Sequence, residues 1–358
     1  MIIDLAAGAI LSALVSLLVC RALIGAGLFD LPNLARKAHR DPTPTSGGLG
    51  IGAGVAAGLL LLSLAPLMAW RENLDSEQAQ RLARSVSVCF GFLMLGFIDD
   101  TYVLGPRTKF AIFVVVSAAA VLGAGVAETF AIGRFYLQLG FWVGLAGSIL
   151  WVFTLVNCVN FMDGANGLSM GSVAVGLLFL CATALSVGAV GAAVLALCGA
   201  GALAGFLVWN FPNGLLFAGD SGALFAGAVA ATASLMTISV GGVSPFIPPI
   251  LFFPLLADVL MTLAWRVSRK RALLDGHAEH FYQIGIRAGL RHGTVALVYW
   301  IATALCGVLG FIAAVASRGP GPAAFAPPLA FLALAAAALI ISTLMRRFAV
   351  ARGLDTPQ

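Results

Sequence analysis

About eleven apolar stretches, most of them close to 20 residues long, run through this chain of 358 residues. About 20 consecutive apolar residues are what an α-helix needs to cross the hydrocarbon core of a bilayer. Only 10% of the residues are charged, whereas soluble domains carry about 25%. We therefore predict an all-α, polytopic integral membrane protein with about 10–11 transmembrane helices, in which residues 1–358 form a single transmembrane domain. The predicted spans are roughly 3–28, 47–70, 84–98, 109–127, 139–158, 167–187, 189–209, 222–240, 245–265, 294–316 and 323–345.

Three features interrupt this pattern. The third span, 84–98, is short, because residues 71–84 mix acidic and basic side chains and are predicted to form a solvated outer loop. The ninth span contains four prolines between residues 245 and 254. Proline removes a backbone hydrogen bond, so we expect a break in this helix. Residues 128–138, with Gly133 near the centre, are predicted to form a small hairpin.

Basic residues are distributed unequally between the loops. Fourteen of the 20 Lys and Arg residues fall after odd-numbered spans or at the C-terminus, and five fall after even-numbered spans. Cytoplasmic loops of membrane proteins carry an excess of Lys and Arg. The odd-numbered loops are therefore predicted to be cytoplasmic and the N-terminus periplasmic. All four histidines fall on the predicted cytoplasmic side.

Four aspartates stand at or near span ends on that same side. Asp99 and Asp100 end the third span, Asp163 follows the fifth span, and Asp220 precedes the eighth span. Carboxylates gathered at a membrane boundary usually serve charge chemistry. The commonest such chemistry is to hold a divalent metal ion against phosphates.

The pair Asp99 and Asp100 is unfavourable for helix stability. Adjacent carboxylates repel each other, and a helix C-terminus prefers cations. We therefore favour a functional role over a stabilising one. Ion pairs with Arg107 or Lys109 are the structural alternative, and for Asp220 the alternative is capping of the helix that it precedes.

A third loop combines amides with a carboxylate. Asn157, Asn160 and Asp163 recur every three residues, which on a helix keeps them within one broad face. Such a set suits hydrogen bonding to a metal ion or to a sugar nucleotide. Helix termination by Asn and Gly would explain the glycines that follow but not the periodic Asn-Asn-Asp.

Two further loops offer phosphate or nucleotide contacts. Lys37, His39 and Arg40 precede a Pro-Thr-Pro-Thr turn and a glycine pair. The backbone amides of such a glycine pair can bind a phosphate. Alternatively, the basic residues only fix the orientation of the chain in the membrane. His277 and His280 have the spacing of a zinc motif, but no third ligand accompanies them. We therefore interpret both histidines as donors to phosphate or uracil groups.

Taken together and in order, these loops resemble the polyprenyl-phosphate N-acetylhexosamine-1-phosphate transferase superfamily. The resemblance covers roughly residues 30–285 and rests on D-L-P-N-x-x-R-K-A-H-R-D-P-T-P-T-S-G-G, F-I-D-D, N-x-x-N-F-M-D-G-x-N-G-L, G-D-S-G and H-A-E-H-F-Y-Q. It implies a multi-pass enzyme of the bacterial inner membrane with a cytoplasmic active site. The implied reaction takes N-acetylhexosamine-1-phosphate from a UDP-sugar to undecaprenyl phosphate and releases UMP. It further implies Mg²⁺ as the cofactor, or Mn²⁺ in its place. The implied partner is the lipid bilayer and not a nucleic acid, and the family suggests a homodimer.

The resemblance also implies roles for individual residues. The catalytic candidates are Asp99, Asp100, Asp163 and His280. The candidate metal ligands are Asp220, Asp163 and Asn160. The candidate substrate-binding residues are Lys37, His39, Arg40, Asn157, Asn160 and His277. We expect one-step transfer with Asp99 positioning the acceptor, and a covalent aspartyl intermediate is the alternative.

Departures from the family pattern bear on the substrate. Ala223 stands where Ser is often seen, Ala278 where Arg is often seen, and Tyr282-Gln283 where the peptidoglycan phospho-muramoyl-pentapeptide translocase branch carries His-His. These differences favour the branch that acts on simple UDP-N-acetylhexosamines for O-antigen or other surface polysaccharides. That translocase remains one alternative.

Two unrelated classes are further alternatives. A secondary transporter is one, because intramembrane acids often mark ion routes, but the four aspartates stand at span ends rather than at the midplane. A CDP-alcohol phosphotransferase would need D-G-x-x-A-R, whereas Asp163 is followed here by G-A-N-G-L.

Overall fold

The computed structural model describes residues 1–25, 29–30, 43–64, 74–102, 105–132, 135–272, 278–319 and 321–354. Four residues with predicted roles lie outside these ranges, and the predictions for them stay predictions. They are Lys37, His39, Arg40 and His277.

Helices make up nearly all the regular structure of the described residues, which confirms the all-α prediction. They are α1 (Ile2–Ile24), α2 (Gly47–Leu64), α3 (Ser76–Tyr102), α4 (Pro106–Ala124), α5 (Gly140–Phe161), α6 (Leu168–Ser186), α7 (Val190–Asn210), α8 (Gly219–Gly241), α9 (Ile247–Leu251), α10 (Phe253–Ser268), α11 (Phe281–Arg287), α12 (His292–Ala316) and α13 (Ala326–Ala351). A 3-10 helix, Pro322–Phe325, leads into α13. The strands are β1 (Phe29–Asp30), β2 (Thr43–Pro44), β3 (Thr129–Ile132) and β4 (Phe135–Gln138).

Ten helical segments of the described chain are long and apolar enough to cross a membrane. The ninth predicted span is broken into α9 and α10, which meet at Phe252. Each of these two helices has proline in its first turn, where the missing N–H has no intrahelical partner to lose. The expected break is therefore confirmed. The predicted hairpin is confirmed as well, because β3 pairs antiparallel with β4, from Thr129 opposite Gln138 to Ile132 opposite Phe135.

The prediction of a short third span preceded by a solvated loop is wrong. Residues 76–84 form the first turns of α3, which is 27 residues long. Asp75 starts this helix, because its carboxylate accepts the Gln78 backbone N–H at 2.7 Å. Glu77 and Arg81 then pair at i and i+4, the spacing that stabilises a helix surface. The mixed charges belong to an exposed helix face.

Helix α8 lies at the centre of the bundle and packs against α2, α3, α4, α5, α6 and α7. Every residue from Ser221 to Thr237 is buried. Small residues make this close packing possible. A Cβ atom added at Gly227, for example, would lie 2.8 Å from the Val156 Cα atom on α5. The N-terminus of α8 is consequently held in place by its neighbours on several sides.

Candidate functional site

Three junctions between helices, α3–α4, α5–α6 and α7–α8, converge at one end of the bundle. Their meeting point is Lys109, whose Nζ atom donates to Asp99 Oδ2 and, at 2.6 Å, to Asp220 Oδ2. The Asp220 backbone N–H donates to Asp100 Oδ1 at 2.8 Å. Three of the predicted aspartates are therefore in contact with one another or with the same ammonium group.

Asp100 fixes the start of α8. Its two carboxylate oxygens accept the backbone N–H groups of Asp220 at 2.8 Å and Ser221 at 3.1 Å, which have no partner within the helix. A carboxylate is favourable there because a helix N-terminus carries partial positive charge. Our view that a stabilising role was unlikely for both members of the aspartate pair is therefore wrong for Asp100.

Glycine is required at the first residue of α8. Gly219 has φ +70°, a left-handed conformation that residues with a Cβ atom rarely adopt. A Cβ atom there would also lie 2.5 Å from the Thr45 carbonyl oxygen and 2.7 Å from Asp100 Oδ2. The close approach of Asp100 to α8 therefore depends on this glycine.

Asp220, the second residue of α8, does not cap this helix. Its carboxylate is turned to Lys109, while the N-terminal N–H groups of α8 are bonded to Asp100. The alternative of self-capping is therefore wrong. The ion-pair alternative for the aspartate pair is confirmed in part, since Lys109 pairs with Asp99.

Asp163 interacts with these groups electrostatically. It lies in the turn after α5, where its Oδ1 atom accepts the Ser169 hydroxyl proton. Burial raises the pKa of the Asp163 carboxyl to about 7; the Ser169 hydrogen bond opposes this rise, and the negative charges of Asp220 and Asp100 add to it. Asp163 is thus within electrostatic reach of both. We call Asp99, Asp100, Asp163 and Asp220, with Lys109, the aspartate cluster.

The two asparagines have different surroundings. Asn157 Nδ2 donates to the Phe153 carbonyl of its own helix at 2.7 Å. The Asn160 side chain has no hydrogen-bond partner among the described residues, while its carbonyl oxygen accepts the Asp163 N–H at 3.2 Å. Helix α5 ends at Phe161, so the prediction that Asp163 continues the same helix face is wrong.

His280 is anchored by a carboxylate that sequence reasoning missed. Asp258, the sixth residue of α10, is 1% exposed. Its Oδ1 atom lies 3.1 Å from His280 Nδ1 and accepts the Phe281 N–H at 2.9 Å. Its Oδ2 atom accepts the Tyr282 N–H at 3.2 Å and the Tyr299 hydroxyl at 2.5 Å. A lone aspartate in the apolar stretch L-L-A-D-V-L was the signal that could have revealed it.

We call residues 278–288 the histidine loop. Tyr282 and His280 place this loop against the turn that carries Asp163. The Tyr282 hydroxyl donates to the Phe161 carbonyl at 3.3 Å. A Cβ atom at Gly164 would lie 2.2 Å from that hydroxyl oxygen, so glycine is needed for the contact. The His280 ring stacks on the Phe161 ring at 6.3 Å between centroids. The histidine loop and the aspartate cluster therefore belong to one region.

The donor atoms of the aspartate cluster fit a magnesium ion. Among the described residues, no group of three or more His, Cys, Asp or Glu side chains is arranged to hold a metal ion. Mg²⁺, however, usually keeps several waters and takes only one or two carboxylates from a protein. With every carboxylate ionised, four aspartates and one ammonium give the cluster a formal charge of −3 (−4 + 1), and repulsion between these charges is one reason why the pKa of Asp163 is raised. Oxygen donors with excess negative charge suit a hard divalent cation.

A multi-pass helical membrane protein with a carboxylate-rich site at one end of its bundle is the class that this fold and site define. Comparison with known proteins identifies the family. Residues 83–238 match the family model described as Glycosyl transferase family 4. The chain belongs to this family and is a transferase, and the resemblance found in its motifs is confirmed.

Relatives from two branches are similar to the chain. A decaprenyl-phosphate N-acetylglucosaminephosphotransferase of Mycolicibacterium smegmatis is 30% identical over 315 residues, covering 78% of this chain and 73% of the relative. A probable undecaprenyl-phosphate N-acetylglucosaminyl 1-phosphate transferase of Bacillus subtilis is 28% identical, covering 79% and 76%. A phospho-N-acetylmuramoyl-pentapeptide-transferase of Desulforudis audaxviator is 26% identical, covering 77% and 85%.

Proposed function

We propose that the protein transfers an N-acetylhexosamine-1-phosphate from a UDP-sugar to undecaprenyl phosphate and releases UMP. The convergence of Asp99, Asp163 and Asp220 on one site with Lys109 supports this proposal most directly. Two anionic substrates can meet only where cations offset their repulsion, and this site holds one cation and oxygen ligands for another. The transferase activities for which two of the relatives are named support the same reaction.

The proposed setting is the cytoplasmic face of the bacterial inner membrane. The excess of Lys and Arg in the odd-numbered loops supports this orientation. The acceptor would reach the site from the bilayer on its polyprenyl tail, and the UDP-sugar would arrive from the cytoplasm. The product would serve O-antigen or another surface polysaccharide.

Asp220, Asp163 and Asn160 are the residues that would hold Mg²⁺. When bound, the ion would offset the charge of the pyrophosphate and of the UMP leaving group. Asn160 suits this role because its side-chain amide has no partner among the described residues, whereas Asn157 is bonded to its own helix. We therefore assign Asn157 to substrate binding and Asn160 to the metal.

The transfer is proposed to occur in one step. An oxygen of the acceptor phosphate attacks the sugar-linked phosphorus, the bond from that phosphorus to the bridging oxygen breaks, and the electron pair leaves on UMP. The second pKa of a phosphate monoester is about 6, so the acceptor needs no strong base at pH 7. Asp99 would orient the acceptor, and Lys109 would donate to its phosphate. Trapping a phosphosugar on the enzyme without lipid would contradict this mechanism.

UMP release by purified protein tests the proposal. The assay contains Mg²⁺, undecaprenyl phosphate and a panel of UDP-N-acetylhexosamines, with UDP-muramoyl-pentapeptide as the arm that tests the translocase alternative. Asp99→Asn and Asp220→Asn are expected to abolish release. Glu128→Gln, which changes an exposed carboxylate outside the site, is the matched control. Absence of release from folded protein with every donor would contradict the proposed reaction.

A further inference from the structure

A cavity of about 590 Å³ lies between α10 and α13, near the C-terminal ends of both helices. Its described lining residues come from these two helices and the residue that follows α10. None of them comes from α3, α4, α5 or α8, which lead to the aspartate cluster. A molecule bound in this cavity would therefore be separate from the reacting groups.

The lining of the cavity is apolar with a strongly basic part. Arg269, Arg346 and Arg347 line it, and its described lining residues include no acidic side chain. Most of the remaining lining is apolar, namely Met261, Ala264, Leu339, Val350 and Ala351. This combination fits an amphiphile that carries a negative charge at one end.

Two of these arginines have no described carboxylate to neutralise them. Within the described ranges, no carboxylate oxygen lies within 4.0 Å of Arg269 or Arg347. Arg269 instead lies 4.4 Å from the centroid of the Trp265 ring. The Trp265 Nε1–H group, on the same cavity, is buried and has no hydrogen-bond partner among the described residues. Guanidinium donors in a cavity without a described acidic residue match the oxygens of a phosphate.

Both helices approach the cavity with their basic ends, which the distribution of Lys and Arg assigns to the cytoplasmic boundary. Basic pockets between membrane helices on that side suit anionic lipid head groups. We propose that this cavity binds an anionic glycerophospholipid of the bilayer. Its phosphate lies between Arg269 and Arg347, and an acyl chain follows Met261 and Leu339.

The site is coupled to the histidine loop through Arg346. This arginine lines the cavity, and its guanidinium donates to the Glu279 carbonyl at 2.8 Å and to Thr262 Oγ1 at 3.0 Å. Glu279 directly precedes His280. A lipid phosphate beside Arg346 restrains the side chain that holds this loop, so the lipid also orders residues 278–288.

Binding is measured first, on the full-length protein in a neutral detergent. Phosphatidylglycerol and phosphatidylcholine are titrated separately, and bound lipid is counted by native mass spectrometry. The test variant is Arg269→Gln with Arg347→Gln. The control is Lys270→Gln with Arg291→Gln, which removes the same charge from the same end of the bundle at residues that do not line the cavity.

The test variant is expected to bind phosphatidylglycerol about 30-fold more weakly than the control, from two charge contacts of ordinary strength. Phosphatidylcholine binding should be unchanged. Equal phosphatidylglycerol affinity in the test and control variants would overturn the proposal. Ala264→Trp, at an exposed position on the cavity, provides an independent steric block and should lower binding without any change of charge. If the double variant does not fold, Arg347→Gln and Ala264→Trp carry the same comparison.

Two competitors identify the source of the phosphate. Undecaprenyl phosphate at equal concentration and inorganic phosphate in millimolar excess should both leave phosphatidylglycerol bound. Displacement by either would overturn the assignment to a glycerophospholipid.

Hydrogen exchange then tests the coupling. In nanodiscs, replacing part of the phosphatidylcholine by phosphatidylglycerol should slow exchange of residues 278–288 in the control and not in the test variant. Slowing of the same size in both would overturn the coupling. Neither readout uses the transferase reaction, so failure of the proposed function would leave this test intact.

Discussion

Replacing Asp258 by Asn should uncouple the histidine loop from the bundle. The two side chains have nearly the same shape, but Asn has one acceptor oxygen where Asp258 has two. In the native protein, Asp258 Oδ1 faces His280 Nδ1, the Phe281 N–H and the Thr262 hydroxyl. Asp258 Oδ2 faces the Tyr282 N–H and the Tyr299 hydroxyl. The hydroxyls of Thr262 and Tyr299 and the His280 ring can accept as well as donate, but backbone N–H groups cannot. Whichever way the amide is turned, either the Phe281 N–H or the Tyr282 N–H therefore meets an NH₂ group.

The number of donors left without an acceptor sets the loss of stability. A buried donor left without a partner costs about 1–3 kcal/mol. One such donor corresponds to a loss of about 1–3 kcal/mol in the stability of the contact between α10 and α11. A typical domain has only about 5–15 kcal/mol of total stability. The loop around His280 should therefore open while the remainder of the bundle stays folded.

The assay combines hydrogen exchange with kinetics. Exchange of residues 278–288 should increase, and kcat for UMP release should fall about as far as in His280→Ala. If Asp258 acts through His280, the double variant should be no slower than the slower single variant. Asp75→Asn is the control, because it removes another helix-capping carboxylate far along the chain from His280. Wild-type exchange and kcat in Asp258→Asn would refute the reasoning, and so would fully additive kinetic losses.

Three further predictions concern the charges. Lys109→Met should lower kcat/KM for UMP release by at least about 100-fold, because a cation that contacts the phosphate is lost. Arg84→Met, the control, should have little effect in the same assay. Asp100→Asn should lower the unfolding free energy by about 1 kcal/mol, because the amide has one acceptor oxygen for the two N–H groups of Asp220 and Ser221. Denaturant or thermal unfolding in detergent measures this loss. Burial raises the pKa of Glu279, but hydrogen bonds and charges from Arg266 and Arg271 outweigh it and hold the pKa below its ordinary value of 4.5. The ionised Glu279 carboxylate therefore stabilises the protein above pH 4.5, and this stabilisation is lost as the pH falls through the lowered pKa. Glu279→Gln should remove that part of the pH dependence of the melting temperature.

The membrane topology was largely predictable because the bilayer restricts the possible structures. A spanning segment must satisfy its backbone hydrogen bonds internally, so long apolar stretches become helices. Alternation of the helices then brings the α3–α4, α5–α6 and α7–α8 junctions to the same end. The meeting of Asp99, Asp163 and Asp220 follows from this alternation, even though 121 residues separate the first from the last. The start of α3 was missed because i, i+4 ion pairs on a helix and a solvated loop have the same composition.

Contacts between distant segments were not predictable in the same way. Apart from Thr262 on the same helix, the partners of Asp258 lie 22 to 41 residues further along the chain, and nothing in its own neighbours specifies them. The turn after Phe161 was missed for a related reason. A period of three residues fits one face of a helix, but it does not show where the helix ends. That end is set by contacts of the turn with Ser169 and Tyr282.

The two adjacent aspartates divide two tasks that their sequence does not distinguish. Asp100 turns its oxygens to the backbone of α8 and fixes the position of the residue that follows Gly219. Asp99 turns to Lys109 and shares that ammonium group with Asp220. The α8 helix is buried along most of its length, so a cap at its start holds Asp220 rigidly against Lys109. Repulsion between the adjacent carboxylates is offset because one faces a helix N-terminus and the other a lysine. An acidic pair that would destabilise an isolated helix end thus becomes part of a preorganised charged site once α4 and α8 pack beside it.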